Sequence, residues 1–259
     1  MSLPPHVGFN FVDTLHHDIY HNIDPTKSDL TQPSKVVLVT GAGRGIGRSI
    51  ALRYAESGVA HIIICARTAS ELDSVEQAIR SINAGVHVTK FPLDITDEAQ
   101  VTAAANRVKQ DIARLDMLIN NAGITEPTAS QESIIVNVIN ISSIGTHIIA
   151  PGASAYQTSR LALLRLTEFV DAEYGSKGVN SVAVHPGGVL TDLSRNIKQI
   201  QVALTDTPEL CAGFVVWLTK GGRTWLAGRY VAATWDVDEL EAKRDEIVKG
   251  EKLKVRMVV

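Results

Sequence analysis

The sequence predicts a single α/β domain built on a doubly wound parallel sheet, and three observations lead to that prediction. From residue 35 onwards, short apolar runs alternate with segments of helical periodicity, the pattern of repeated βαβ units. The first run, residues 35–40, is apolar on both faces, as a central strand of a parallel sheet must be. It leads into the glycine-rich turn TGAGRGIG, residues 40–47, and then into a helical pattern.

The apolar periodicity gives the order of the elements. Strands are predicted at residues 35–40, 61–65, 86–91, 115–119, 133–141, 179–185 and 229–232. Helices are predicted from residue 46 to near residue 58, over residues 154–174 and over residues 208–219. Two further helices are indicated by apolar stripes, consisting of Leu72, Val75, Ile79 and Ile82, and of Val101, Ala105, Val108 and Ile112. Thr96 or Asp97 is available to cap the second of these helices.

The chain divides into three parts. Residues 1–34 hold four of the eight histidines and show no sustained periodicity, so we expect an N-terminal extension laid over the domain. The histidine spacing matches no template of metal ligands, and we predict no metal site. Residues 35–235 form the α/β domain. Residues 236–259 are strongly charged and predict a solvated C-terminal helix and tail.

Composition excludes several classes of partner. The net charge is −3 with acids and bases interspersed, which argues against nucleic acid and membrane surfaces. No apolar run is long enough to span a membrane, and the first residues lack the pattern of a signal peptide. We therefore expect a cytoplasmic protein with a small-molecule ligand. The two cysteines, Cys65 and Cys211, lie in apolar patterns and are expected in the core.

The glycine turn predicts a dinucleotide site of the Rossmann type. Gly41, Gly45 and Gly47 permit positive φ and a close approach of backbone to a pyrophosphate. The following helix supplies free amide donors and the positive end of its dipole. A glycine pattern between a buried strand and a helix is far more specific than the pattern alone.

The second strand indicates which dinucleotide is bound. A site for NAD places an acid at the end of this strand, where it holds the ribose 2′-hydroxyl. This chain has Arg67 there, and Arg44 lies in the turn. A guanidinium can pair with a 2′-phosphate, so NADP(H) is preferred over NAD(H). The alternative is that both arginines are ordinary surface residues.

The spacing Thr-Gly-x-x-x-Gly-x-Gly resembles that of the short-chain dehydrogenase/reductase family, and other segments resemble it in order. Asp94 and Ile95 match the pair beside the adenine, residues 120–123 (NNAG) match the turn below the nicotinamide half, and residues 186–191 match the loop over the carboxamide. The C-terminal part is similar to a fungal branch of the family. Together, the turn and the resemblance predict cofactor contacts at Thr40, Gly41, Arg44, Gly45, Ile46, Gly47, Arg67, Asp94, Ile95, Asn121, Ala122, Gly123, Tyr156, Arg160, Pro186, Gly187, Val189 and Thr191.

The resemblance also implies a catalytic set. Ser143 ends a predicted strand and Tyr156 begins a predicted helix, as in the family's active site. There the tyrosine is the general acid/base for the substrate oxygen, and the serine orients that oxygen. A phenol with an ordinary pKa near 10 needs a nearby cation to act at neutral pH. The family has a lysine four residues after the tyrosine, whereas this chain has Arg160, which keeps the charge in a different geometry.

A second departure lies between the fourth and fifth strands. A parallel crossover needs a dozen or more residues and usually a helix. Residues 123–132 (GITEPTASQE) contain a proline and no apolar stripe, so one crossover helix is predicted to be missing. In the family that helix carries an active-site asparagine and helps form the dimer. We consider three explanations: the extension covers the exposed sheet face, a partner covers it, or the chain is internally deleted.

Two functions follow from this pattern. The first is an NADP(H)-dependent oxidoreductase that interconverts an alcohol and a carbonyl, with Tyr156, Ser143 and Arg160 in its active site. The second is a catalytically impaired or non-catalytic dinucleotide-binding relative, favoured by Arg160 and the missing helix. A hydrolase using Ser143 lacks a suitably placed histidine and acid. The substrate depends on residues 192–207, whose mixed composition does not identify it, and a homo-oligomer remains open.

Overall fold

The computed structural model describes residues 5–122, 137–195 and 198–257. Its described part contains one sheet of seven parallel strands in the order β3-β2-β1-β4-β5-β6-β7. The strands are β1 (Val36–Thr40), β2 (His61–Ala66), β3 (His87–Pro92), β4 (Met117–Asn120), β5 (Asn137–Ile141), β6 (Asn180–His185) and β7 (Arg229–Ala232). The predicted doubly wound parallel sheet is therefore confirmed.

Helices cover both faces of this sheet. They are α1 (Gly45–Glu56), α2 (Ala69–Ile82), α3 (Glu98–Arg107), α4 (Ser154–Tyr174), α5 (Pro208–Thr219), α6 (Val237–Ala242) and α7 (Arg244–Lys249). Alternate residues of a strand point to opposite faces. In β1, Val37 and Val39 pack with α1, α2 and α5, whereas Val36 faces the smaller cluster next to α3. A third cluster joins Val138 to α4 on that second face.

Side-chain caps determine where two of the predicted helices begin. Asp97 accepts a hydrogen bond from the Gln100 amide at 3.1 Å and starts α3, so Asp97 rather than Thr96 is the cap. Thr207 accepts one from the Leu210 amide at 3.2 Å, and Pro208 follows in the first turn of α5, where a proline is tolerated.

The predicted apolar stripes are wrong at two positions. Ile82 is exposed at the last residue of α2. Ala105 is exposed as well, and Ala104 packs in its place. Spacings of three and four residues place Val101, Ala104 and Val108 on one face, and after Arg107 the chain continues as a π-helical turn over Val108–Ile112.

The C-terminal segment differs from the single solvated helix that its charge predicts. Two six-residue helices, α6 and α7, meet at Lys243. Val237, Leu240 and Ile247 are fully buried, because one side of each helix packs into the main core. Charge composition alone does not predict the burial of these three residues.

The N-terminal extension packs tightly on the domain. Val12, Ile23 and Leu30 are buried in the cluster that contains α1 and α5. The Gln32 side-chain amide donates to the Val216 carbonyl oxygen at 3.0 Å in the interior. These contacts lie on the α1 and α5 face, so this part of the extension does not cover the opposite face, where a crossover helix would pack.

The connection between β4 and β5 is short. These strands are parallel neighbours, and sixteen residues separate Asn120 from Asn137. Three predictions lie outside the described residues: the missing crossover helix, the first four residues of the predicted strand 133–141, and the cofactor contact of Gly123.

Buried amides link β4, β5 and α4. The Asn120 side chain donates to Asn140 Oδ1 at 2.9 Å, and Asn140 Nδ2 donates to Thr167 Oγ1 on α4 at 2.9 Å. Nearer the other end of β5, Asn180 donates to Asn137 Oδ1 at 3.1 Å. These hydrogen bonds satisfy polar groups that would otherwise be buried unpaired.

Both cysteines lie in the core, as predicted. Cys65 and Cys211 are buried and unbridged, and burial raises the pKa of each thiol to about 12. They are inert at neutral pH. None of the helices described in the structure combines the length and the apolar character that a membrane crossing requires.

Candidate active site

The predicted site residues gather at one edge of the sheet. The carboxyl ends of parallel strands meet at a common edge, and Thr40, Asn120 and Ile141 are the last residues of β1, β4 and β5. The strand order reverses direction between β1 and β4. Ligands of open α/β sheets bind in the crevice at such a switch point. The glycine turn lies on one side of it and the turn after β4 on the other.

The three glycines of the turn have different roles. Gly41 and Gly45 have φ values of +65° and +55°, the left-handed region that favours glycine. Gly47 lies in α1 without positive φ, contrary to the prediction. A Cβ on Gly47 would lie 2.3 Å from the Gly41 carbonyl oxygen and 2.5 Å from Asn121 Nδ2. Its missing side chain therefore allows the helix to approach the turn.

Hydrogen bonds hold the glycine turn against the turn that follows β4. Thr40 Oγ1 accepts from the amides of Asn121 and Ala122 at 3.0 and 3.1 Å. Asn121 Nδ2 donates to the carbonyl oxygens of Thr40 and Gly41 at 3.0 and 3.2 Å. The structure thus brings together four of the predicted contact residues. The Asn121 side-chain amide thus links the two turns by hydrogen bonds.

The turn fits a phosphate. A Cβ on Gly45 would have no heavy atom within 4 Å, so the backbone faces open space at the first residue of α1. The first turn of a helix presents amides without intrahelical acceptors and the positive end of the dipole. Ile46, the next residue, packs against the main core and fixes the helix in place. These features suit the pyrophosphate of a dinucleotide.

The two arginines predicted to select the cofactor are placed differently. Arg44 forms an ion pair with Asp192, with Nη1 and Oδ2 2.5 Å apart, and Asp192 also pairs with Arg195 at 2.9 Å. Arg67 follows β2 and is exposed. Hydrogen bonds from Thr96 lower the pKa of Asp94. The positive charge of Arg67 lowers it further, by a smaller amount.

Asp94 and Ile95 follow β3 at the same edge. Asp94 Oδ1 accepts from the Thr96 amide at 2.9 Å and from Thr96 Oγ1 at 2.8 Å, which closes a tight turn. Ile95 packs against the cluster that includes Phe91. The pair stands where an adenine ring is expected, although its visible contacts serve the local turn.

Ser143 and Tyr156 lie on either side of Gly145. A Cβ on Gly145 would be 3.2 Å from Ser143 Oγ and 3.7 Å from Tyr156 Cε1, so both side chains border one small space. Ser143 Oγ accepts from the Gly145 amide at 3.0 Å, which leaves its hydroxyl hydrogen available as a donor. The Tyr156 side chain lies at the start of α4 and is 38% exposed, so a substrate can reach it.

Arg160 lies one helical turn after Tyr156. Its guanidinium carbon is 5.4 Å from the centroid of the Tyr156 ring, and Nη1 donates to the Ile141 carbonyl oxygen at 3.1 Å. Arg160 Nε is buried and has no hydrogen-bond partner within the described ranges. A cation therefore stands beside the tyrosine, and its Nε–H is a buried donor without an acceptor among the described residues.

Residues 186–191, which follow β6, lie at the same edge of the sheet as the other predicted site residues. Pro186 follows the strand and leads into Gly187, whose φ is +92°. Val189 is buried and forms a β-bridge with Asp206. The Thr191 amide donates to Ser194 Oγ at 3.0 Å.

His185, the last residue of β6, contacts the residue that follows Ser143. Its Nδ1 accepts from the Ile144 amide at 3.2 Å, and the ring is buried. Burial, with a smaller contribution from His147, lowers the pKa of His185 from 6.5 to about 3. The imidazole is therefore neutral in the folded chain.

Protonation of His185 in the unfolded chain predicts a loss of stability in mild acid. Below pH 6.5 His185 binds a proton in the unfolded state but stays neutral in the folded state. The free energy of unfolding therefore falls as the pH drops towards 3. The slope from this group is at most about 1.4 kcal/mol per pH unit. Urea unfolding between pH 7 and pH 5 measures it. His185→Asn keeps an acceptor for the Ile144 amide and should have a shallower slope, and equal slopes would contradict the assignment.

Sequence reasoning missed several residues at this edge. Asp192 pairs with Arg44, Gly145 leaves room between Ser143 and Tyr156, and Asp206 holds the 186–189 segment. Asp192 lies far along the chain from Arg44, Asp206 is 18 positions from Gly188, and no local pattern marks either. The pair of glycines at 187 and 188 was a usable signal for a close backbone approach.

The fold and the turns at its switch point define a Rossmann-type α/β protein. The sequence profile of the short chain dehydrogenase family matches residues 35–135 and 135–201. The chain is 40% identical to short chain dehydrogenase mpl6 of Monascus purpureus, over 296 aligned positions that cover 100% of both proteins. It is 36% identical to short chain dehydrogenase pigC of Monascus ruber, over 96% of this chain and 94% of that one. The chain therefore belongs to the short chain dehydrogenase family of oxidoreductases, which bind a nicotinamide dinucleotide.

Solved structures share the fold at lower sequence identity. The L-sorbose reductase of Gluconobacter frateurii, complexed with NADPH and L-sorbose, superposes with a TM-score of 0.67. It is 21% identical, and the match covers 79% of this chain and 96% of that one. A 7α-hydroxysteroid dehydrogenase complexed with NADH has a TM-score of 0.69 at 19% identity, with 83% and 97% of the two chains covered.

Proposed function

We propose that this protein is an NADP(H)-dependent oxidoreductase that interconverts an alcohol and a carbonyl group. The observation that carries the proposal is that Ser143 and Tyr156 border one space and the Arg160 guanidinium lies beside the Tyr156 ring, at the same edge of the sheet as the glycine turn. When bound, the nicotinamide supplies a hydride to the carbonyl carbon, or accepts one from the alcohol carbon. The protein's own groups handle the substrate oxygen.

In the reducing direction, the Tyr156 phenol donates its proton to the carbonyl oxygen, and the product is the alcohol. Ser143 donates a hydrogen bond to the same oxygen and fixes the orientation of the carbonyl. Arg160 places a positive charge beside the phenol and favours the phenolate left after proton transfer. Its unpaired Nε offers a donor to a ribose hydroxyl.

The edge of the sheet divides between the two ends of the cofactor. The turn at Thr40, Gly41, Gly45, Ile46 and Gly47 would hold the pyrophosphate. Asp94 and Ile95 would border the adenine, Asn121 and Ala122 the nicotinamide half, and Pro186, Gly187, Val189 and Thr191 the carboxamide. Gly123 stays a sequence-based expectation.

Substrates with a large apolar surface fit the segment that follows β6. Among the described residues between Val189 and Asp206, large apolar side chains are exposed at Leu190, Leu193, Ile200 and Val202. Exposed apolar side chains gain stability when an apolar ligand covers them. We therefore expect aromatic or long-chain carbonyl compounds rather than sugars.

The test follows the nicotinamide absorbance with purified chain, NADPH or NADH, and matched carbonyl compounds. An aromatic ketone, a long-chain aldehyde and a ketose sugar form the panel. Oxidation of NADPH with the apolar compounds supports the proposal. Binding of neither dinucleotide, or binding without turnover of any compound or of the corresponding alcohols, would refute it.

The choice of cofactor is tested at Arg67. Arg67→Ala should weaken NADPH binding about 10- to 100-fold, the range for a lost charge-assisted hydrogen bond to a phosphate, and leave NADH binding within twofold. Tryptophan fluorescence or calorimetry measures both affinities. Arg80→Ala removes an exposed arginine from α2, where it pairs with Glu76, and serves as the matched control. Equal losses for both cofactors would overturn the assignment.

We further infer that the chain is internally deleted next to β4. The alignment with the Monascus purpureus relative spans 296 positions against 259 residues here, so part of that protein has no counterpart. The family profile also matches in two parts that meet at residue 135. Transcript sequencing across the codons for residues 123–133 tests this. A transcript that encodes additional residues there would show that the deletion is an error of the gene model.

A further inference from the structure

A carboxylate behind the cofactor edge joins two segments that are distant in sequence. Asp206 Oδ2 accepts from the Gly188 amide at 2.5 Å, and the Asp206 amide donates to the Gly188 carbonyl oxygen at 3.0 Å. A Cβ on Gly187 would lie 2.6 Å from the same Oδ2 atom. The 186–188 turn is thus shaped around this carboxylate, whose side chain is 6% exposed.

The other oxygen of Asp206 belongs to the N-terminal extension. His17 Nδ1 lies 2.5 Å from Asp206 Oδ1, and the ring nitrogen must donate because an ionised carboxylate only accepts. The Thr207 amide donates to the His17 carbonyl oxygen at 2.9 Å, and Thr207 Oγ1 donates to Asp18 at 2.5 Å. Two consecutive residues of the extension therefore hold two consecutive residues of the domain.

The extension is itself anchored to the sheet. The His16 amide donates to the Thr234 carbonyl oxygen at 2.7 Å, and Leu15 forms an antiparallel bridge with Trp235 just beyond β7. The His16 ring stacks on Tyr20 at 3.5 Å and pairs with Asp236 at 2.9 Å. His17 is consequently presented from a fixed backbone, although its side chain is 63% exposed.

We propose that His17 and Asp206 are positioning residues that hold the 186–188 turn in the shape required by the nicotinamide half of the cofactor. Asp206 fixes the turn directly, and His17 fixes the second carboxylate oxygen. Residues 15–18 of the N-terminal extension, but not the extension as a whole, are then part of the cofactor-binding machinery. This inference rests on the proposed function for its link to the cofactor, whereas its structural part can be tested without any ligand.

The experiment compares the full chain with His17→Ala, His17→Asn and His21→Ala. Asparagine carries an amide donor at the position of Nδ1 and should restore the contact with Asp206. His21 is an exposed histidine of the same extension, and its substitution is the matched control. Hydrogen–deuterium exchange is measured without cofactor, on peptides that contain the Gly188 and Asp206 amides. The affinity for NADPH is measured on the same preparations.

In His17→Ala we expect exchange at these amides to accelerate about fivefold and NADPH affinity to fall by a similar factor, an effect kept small because the His17 side chain is 63% exposed. His17→Asn should restore both quantities to within twofold of the native chain, and His21→Ala should change neither. Unchanged exchange in His17→Ala would overturn the positioning role. Faster exchange with unchanged NADPH affinity would overturn the link to the cofactor. A native chain that fails to bind NADPH would sink the proposed function and this link, and the exchange data would still decide whether His17 holds the turn.

Discussion

Tyr156→Phe should lower kcat/KM by about 100- to 10,000-fold, the contribution of a positioned general acid/base. The substitution removes only the phenol oxygen and keeps the ring that lies under the Arg160 guanidinium. Folding should therefore stay close to that of the native chain, and the affinity for NADPH should fall by about tenfold at most for the lost cofactor contact of the phenol oxygen. Steady-state rates with the best carbonyl compound of the panel, together with NADPH binding, separate chemistry from binding.

The matched control for this substitution lies on the same helix. Tyr174→Phe makes the same chemical change at the other end of α4, where the tyrosine packs beside Val170 and away from the sheet edge. It should retain nearly full activity. If Tyr156→Phe kept more than a tenth of native activity, another group would have to supply the proton, and the proposed mechanism would fail.

Asp116→Asn should strongly lower the free energy of unfolding. The Asp116 side chain is 1% exposed and accepts four hydrogen bonds: from the Val36 amide, from Lys35 and two from Arg114, at 2.6 to 2.9 Å. Asparagine cannot accept all four, and it leaves two cations without their counter-charge. We expect a loss of about 3 kcal/mol in the free energy of unfolding, the low end for a broken buried pair, since both cations reach solvent.

Chemical denaturation at pH 7 measures this loss, and Asp111→Asn is the control. Asp111 is exposed and pairs with Arg107 at 3.7 Å, so its substitution should cost less than about 0.5 kcal/mol. Burial raises the pKa of Asp116, but its hydrogen bonds outweigh that effect and the net pKa is lowered. Protonation in acid removes the native advantage, so the difference between Asp116→Asn and native chain should shrink as the pH falls through that pKa. A constant difference down to pH 3 would contradict this assignment.

Local patterns predicted the elements that depend on local chemistry. The bounds of α4, α5 and β7 agree with the prediction to the residue, because each has a clear periodicity or a proline and threonine at its start. The glycine turn was predictable for the same reason, as its function requires particular backbone conformations between a strand and a helix.

The errors arose where distant packing decides the outcome. Ile82 is apolar and falls on the predicted stripe, but it ends α2 and faces solvent. The charged C-terminal segment conceals Leu240 and Ile247, whose burial depends on surfaces formed by earlier parts of the chain. No window of sequence contains that information.

The candidate site shows the same division. Motif spacing brought Ser143 and Tyr156 into consideration, and they do border one space. The ion pair between Arg44 and Asp192 and the hydrogen bond between His17 and Asp206 join residues more than a hundred positions apart. Such pairs can be found only once the topology has placed the two segments side by side.

The buried amides of β4 and β5 bear on how this chain avoids misaligned strands. Asn120 lies directly opposite Asn140 in the ladder, and a shift of two residues would place it opposite Val138. Each amide group stranded in that way would cost about 1–3 kcal/mol, whereas valines and leucines along the same strands tolerate the shift. Two asparagines thus specify the one alignment that brings the end of β5, and with it Ser143, level with the glycine turn.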